Sequence, residues 1–160
     1  MALQIKTLDE LVHRTSVSIA TESSSYEFCG GEFVNINEDY EVEKVLAGGT
    51  FTVPWQVFQD TYGRYDRLGT GKVTVVYGFY FADIDLYDGT PAVAWFNGQV
   101  LTAAYTSVTD SNGNTCAGAF VTPAVAGDLA VALCISPPGH CPRGDDWMRI
   151  QVLSPYEYQG

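Results

Sequence analysis

Between residues 73 and 142 the chain has no lysine, no arginine and no glutamate, and its only charges there are five aspartates. An antiparallel sheet with one wet face alternates apolar with polar or charged side chains. Outward positions in this stretch are confined to Thr, Ser, Asn, Gln, Gly, Tyr and Asp. Lysine, the usual guard against edge-to-edge strand pairing, is missing. Such a sheet is expected to be covered, either by a second sheet of its own or by another subunit. Positive charge is scarce everywhere: eight Lys and Arg against 19 Asp and Glu leave a net charge of −11. That balance excludes the basic stripe of a nucleic-acid binder and the polybasic segment of a membrane-surface protein. No apolar run approaches the roughly 20 residues that span a bilayer. Lys6, Asp9 and Glu10 interrupt any signal-peptide core, which predicts synthesis in the cytoplasm without a leader.

What is present is aromatic, β-branched and punctuated by 16 glycines. At 160 residues the chain has the length of one domain. Gly30-Gly31, Gly48-Gly49, Asp88-Gly89, Asn97-Gly98, Asn112-Gly113 and Gly127-Asp128 supply the turn residues of tight hairpins. They divide the chain into strands at 26–29, 32–36, 40–47, 50–58, 72–87, 90–96, 99–108, 115–122, 129–136 and 147–153, with a longer loop at 60–71. The spacing predicts an all-β fold, a single antiparallel β-sandwich or flattened barrel with jelly-roll topology. Thr7-Leu8-Asp9-Glu10 fits a capping box and predicts a short helix through His13. The division is therefore an N-terminal arm, 1–14, and a β-sandwich domain, 15–160.

Candidate chemistry is thin. Asp83, Asp85 and Asp88 before Gly89 suggest a calcium loop, but the spacing breaks at Asp88 and no distal glutamate follows. Gly69-Thr70-Gly71-Lys72 lacks both the upstream glycine and the hydroxyl of a phosphate loop. Cys134 and Cys141 flank Ser136-Pro137-Pro138-Gly139, a sharp turn that could join them as a disulfide in an oxidising environment. A zinc set of Cys116, Cys134, His140 and Cys141 lacks the short Cys-x-x-Cys knuckle. Histidine occurs only at 13 and 140, and nothing around Cys29 or Cys141 supports a Cys-His nucleophile. Glu41 and Glu43 share a strand face, as a glycosidase pair could, beside Lys44 as on a plain surface. Arg143-Gly144-Asp145 spells an integrin tripeptide of high chance frequency. No cofactor or metal is expected, and no enzyme. Trp55, Trp95 and Trp147 with Tyr62, Tyr65, Tyr77, Tyr80 and Tyr87 could stack sugars, fill the core or form an interface. Tyr77, Tyr80 and Trp95 are the leading binding or interface candidates. In 77–87 large residues fall on both strand faces, so one face is expected to need a partner or a covering loop.

A leading arm, a compact acidic β-body and the aromatic ending Pro155-Tyr156-Glu157-Tyr158 resemble small bacteriophage head proteins. The nearest type is the decoration, or cement, protein that clamps capsomers. The resemblance implies a virion structural protein that forms a homo-oligomer, often a trimer. It also implies an arm reaching onto the shell through Leu3, Ile5, Leu8 and Leu11. The partners would be capsid or other virion subunits, with no nucleic acid and no membrane. The alternative expectation is a carbohydrate- or receptor-binding β-sandwich of a virion fibre or spike, with a glycan as ligand. The third is a small jelly-roll hydrolase.

Overall fold

The computed structural model describes residues 4–5, 13–20, 28–58, 71–110 and 112–160. Among them every regular element is a strand. In chain order these are β1 (Gln4–Ile5), β2 (His13–Ile19), β3 (Phe33–Ile36), β4 (Glu41–Lys44), β5 (Pro54–Val57) and β6 (Lys72–Tyr77). There follow β7 (Tyr80–Ile84), β8 (Val100–Thr109), β9 (Thr115–Pro123), β10 (Leu129–Ser136) and β11 (Met148–Glu157). Period-two sequences separated by Asx-Gly and Gly-Gly turns produce this pattern, because each turn supplies the backbone a hairpin needs.

The sheet runs β1-β7-β11-β10-β8-β9-β3-β4-β2-β6-β5, and a further β3–β5 pairing closes β3, β4, β2, β6 and β5 into a five-stranded barrel. The remaining six strands extend from β3 as a wall. Val17, Val34, Val42, Val57, Val73 and Val75 fill the barrel. The opposite faces of β3 and β6 present Phe33 and Val76 to Tyr80, Ala82 and Ile84 of β7 and to Ile150 and Val152 of β11. Strands β3 and β6 thus bury side chains on both faces, one inward and one against the wall. One face of this sheet without Lys, Arg or Glu is covered by the barrel of the same chain.

Several expectations are corrected. The run 72–87 is two strands, because Gly78 takes a φ of 101° and turns the chain between β6 and β7. Residues 90–96 are a loop, not a strand. The pairing is mixed rather than wholly antiparallel, since β2 lies parallel to β4; residues 20–40 between them provide the long connection that parallel neighbours require. The helix expected through His13 is not there at its end, where His13 opens β2 and pairs with Tyr77. Residues 7–12 and the loop at 60–70 lie outside the described residues. Gln4 and Ile5 pair with Asp83 and Ala82, so this part of the arm lies along the edge of the wall.

Candidate functional site

Two features stand apart from the core. The first is the loop at 89–98. Asp88 holds its start, accepting hydrogen bonds from the Thr90 amide at 2.9 Å and the Thr122 hydroxyl at 3.0 Å. Gln99 holds its end, accepting from the Phe96 amide at 3.3 Å and donating to the Ala94 carbonyl at 3.4 Å. The Asn97 amide group donates to the Ile135 carbonyl. Trp95 turns inward against the main core and meets Tyr87 edge-to-face at 5.9 Å. Burial, then the Asp146 and Asp85 carboxylates, push the Tyr87 phenol up from its ordinary pKa, so it stays protonated and donates to the Asp146 carbonyl at 3.3 Å. Side-chain bonds to the loop backbone compete with sheet pairing, and Pro91 has no amide to offer. The residue 90–96 sequence, apolar enough for a strand, is thereby pulled out of the sheet. Val93 and Phe96 are left 51% and 53% exposed on a segment without charge.

The second feature lies at one end of the barrel. Val57 of β5 and Val75 of β6 point into it, so Trp55 and Tyr77, two residues along, share that side at the rim. Their rings stack at 4.2 Å, 18° apart. Tyr40, from the β3–β4 turn, meets Trp55 edge-to-face at 5.8 Å. Beside this rim a cleft of about 370 Å³ opens between barrel and wall, lined among others by Trp55, Tyr77, Gln56, Tyr80, Thr52 and Ser154. Among the described residues no Asp, Glu, Lys, Arg or His lines it. Its floor is rigid: the buried Tyr80 hydroxyl donates to Gln56 Oε1 at 2.7 Å, and Gln56 Nε2 donates to the Gly31 carbonyl at 2.8 Å. Burial holds the Tyr80 phenol well above its ordinary pKa, which keeps that proton in place. Tyr80→Phe would leave the Gln56 oxygen without its donor in a dry site. A loss of about 1–3 kcal/mol is expected, read by thermal or urea unfolding.

Of the three aromatic candidates, Tyr77 and Tyr80 line one cleft, whereas Trp95 anchors the loop elsewhere. Tyr80 is fully buried and offers no stacking face at the surface. The sequence did not single out Tyr40, because nothing local marks a tyrosine in the turn after Asn37. Leu3, Leu8 and Leu11 lie outside the described residues, and the backbone of Ile5 is placed on β7.

The remaining candidates resolve into structural roles. The disulfide is Cys29–Cys116, across 87 residues, while Cys134 and Cys141 are free and buried. Cys134 points into the main core, and Cys141 Sγ faces Asp83 Oδ1 at 3.9 Å; the turn between them carries Cys141 toward β7. With Cys116 consumed, the proposed zinc set is broken. Cys29 is likewise no nucleophile, and burial pushes the Cys134 thiol up to about 11. Asp83 is fully buried and accepts two bonds from Arg149, Nε at 2.7 Å and Nη2 at 3.1 Å. Asp110 accepts from the Asn112 and Asn114 amides and from Asn114 Nδ2. Burial pulls its carboxyl upward, but these bonds outweigh it and hold the pKa below its ordinary value. Glu41 and Glu43 both receive Asn37 Nδ2, at 3.4 and 3.2 Å. Arg143 lies over the Trp147 ring at 4.0 Å, so the guanidinium of the tripeptide is stacked on its own domain. Among the described residues no group of three or more His, Cys, Asp or Glu is placed to hold a metal ion.

Comparison with protein-family models, with curated proteins and with solved structures gives no match to this chain.

Proposed function

We propose that the chain is a non-enzymatic structural protein of a virus particle, of the capsid decoration or cement type. In this reading a jelly-roll-like sandwich stabilises a shell through subunit and arm contacts. The observation that carries it is the clamped loop at 89–98, which holds Val93 and Phe96 in water. A pre-organised apolar projection loses little freedom on docking, and an aromatic set in uncharged surroundings is the usual anchor of a protein interface. In a chain of net charge −11, this is also a surface on which copies meet without like-charge repulsion. The acidic remainder would keep particles dispersed. A disulfide at Cys29–Cys116 suits a protein that ends on a virion surface after synthesis in the host cytoplasm. Leu3, Leu8 and Leu11 would supply the shell contacts of the arm, with Ile5 kept on β7.

Sedimentation velocity at micromolar concentration tests the subunit contact. A trimer or larger assembly is expected, and Phe96→Asp should return it to monomer while leaving thermal stability within about 0.5 kcal/mol. Shell attachment is read separately by antibody labelling of purified particles. A monomeric wild type that also fails to label particles would sink the reading. A second reading, a carbohydrate-binding sandwich of a virion fibre or spike, is favoured by the aromatic rim of the barrel.

A further inference from the structure

We propose that Tyr40, Trp55 and Tyr77, with the cleft beside them, form a binding site for an uncharged, gluco-configured oligosaccharide. The inference rests on the carbohydrate reading and is independent of shell attachment.

Tyr40 carries the argument. Its φ is 61°, the one positive φ outside glycine among the described residues. A bulky side chain in this left-handed region is strained, and the position suits glycine or asparagine. The turn is built to hold it there: Asn37 Oδ1 accepts from the Asp39 amide at 3.0 Å and the Glu41 amide at 2.8 Å, and the Asn37 carbonyl accepts from the Tyr40 amide at 3.1 Å. The strained ring is not spent on the core, since Tyr40 remains 53% exposed. Backbone strain of this kind collects at ligand sites.

The ligand class follows from what surrounds the ring. Trp55 stacks on Tyr77 and meets Tyr40 edge-to-face, so the three rings form one cluster with Tyr40 as its most exposed member. The exposed polar groups among the described residues of the adjoining cleft are neutral, among them Thr52 and Ser154. A charged ligand would find no counter-charge among the described residues that line the cleft, and Glu38, Asp39 and Glu41 beside Tyr40 disfavour an anion. An extended peptide would find no strand edge, because β5 is already bonded to β3 on one side and β6 on the other. A pyranose with equatorial hydroxyls presents a flat C–H face to aromatic rings and hydroxyls at its rim to neutral donors and acceptors. The cleft volume, about 370 Å³, accommodates one or two sugar rings and lies within the range of small-ligand sites.

The test is titration of the full chain with cellohexaose, chitohexaose and maltohexaose, followed by calorimetry and tryptophan fluorescence. At least one should bind with a Kd of about 0.1–1 mM. Tyr40→Gly should weaken that binding about tenfold. The same variant should melt within about 3 °C of wild type, because relief of the strained backbone offsets the lost ring contact. Phe96→Asp should leave sugar affinity unchanged, and Tyr40→Gly should leave the sedimentation mass unchanged. No binding of the three sugars at about 10 mM overturns the proposal, as does binding that Tyr40→Gly does not weaken. Neither result touches the proposed subunit contact.

Discussion

Lys44→Met is expected to destabilise the protein by about 3–5 kcal/mol, among the largest effects of any single substitution. Lys44 Nζ donates to Glu32 Oε1 at 2.9 Å and Oε2 at 2.8 Å, and the Glu32 side chain is fully buried. The Cys29 amide approaches the same carboxylate at 3.3 Å, and Nζ sits 5.2 Å above the Phe28 ring. Gly118 of β9 closes the pocket: a Cβ there would come within 2.6 Å of Glu32 Oε2. Removing the ammonium takes a close positive charge from a fully buried carboxylate between barrel and wall, where an ionised group is costly to keep. The pair itself is worth less than its rupture, because both charges were desolvated to form it. Chemical denaturation of the single variant and of Glu32→Leu/Lys44→Met checks this. The double variant should recover most of the loss; equal losses would show that the cost lies in packing rather than in the buried charge.

Opening the Cys29–Cys116 disulfide should cost roughly 2–5 kcal/mol, toward the upper end because it closes a long loop. It fastens the turn before β3 to β9 and packs with Leu86, Val108 and Phe120. The β3–β9 pairing there is short, with Phe33 opposite Ala119 as the register partner, so the covalent link reinforces the seam between barrel and wall. Cys29→Ala/Cys116→Ala should lower the thermal midpoint by roughly 10 °C. Peptide mapping without reductant should return the 29–116 link and two free thiols. A 134–141 peptide would overturn the assignment.

Turn chemistry made much of the strand pattern legible. Residues 129–136 were delimited as the structure has them, and β8, β9 and β11 begin within a residue of expectation, because Asn-Gly and Gly-Asp pairs act locally. Periodicity misleads where side chains claim the backbone or a glycine turns it. The 90–96 segment has strand-like composition, but Asp88, Gln99 and Asn97 tie its backbone into a loop. Gly78 looked like one residue of a long strand, and only its positive φ separates β6 from β7. The short Cys134–Cys141 spacing suggested a bridge, yet strand alternation points Cys134 into the core while Cys141 turns toward Asp83.

The all-β class, the approximate strand spacing and the stretch at 73–142 without Lys, Arg or Glu were present in the chain's linear order, since period-two alternation and hairpin turns are properties of neighbouring residues. The closure of β3 on β5 and the pairing of Cys29 with Cys116 were not. Nor were the burial of Glu32 with Lys44 and the meeting of Tyr40, Trp55 and Tyr77. Each joins residues well apart in sequence, and a pattern of neighbours carries no information about which distant strands will share a face.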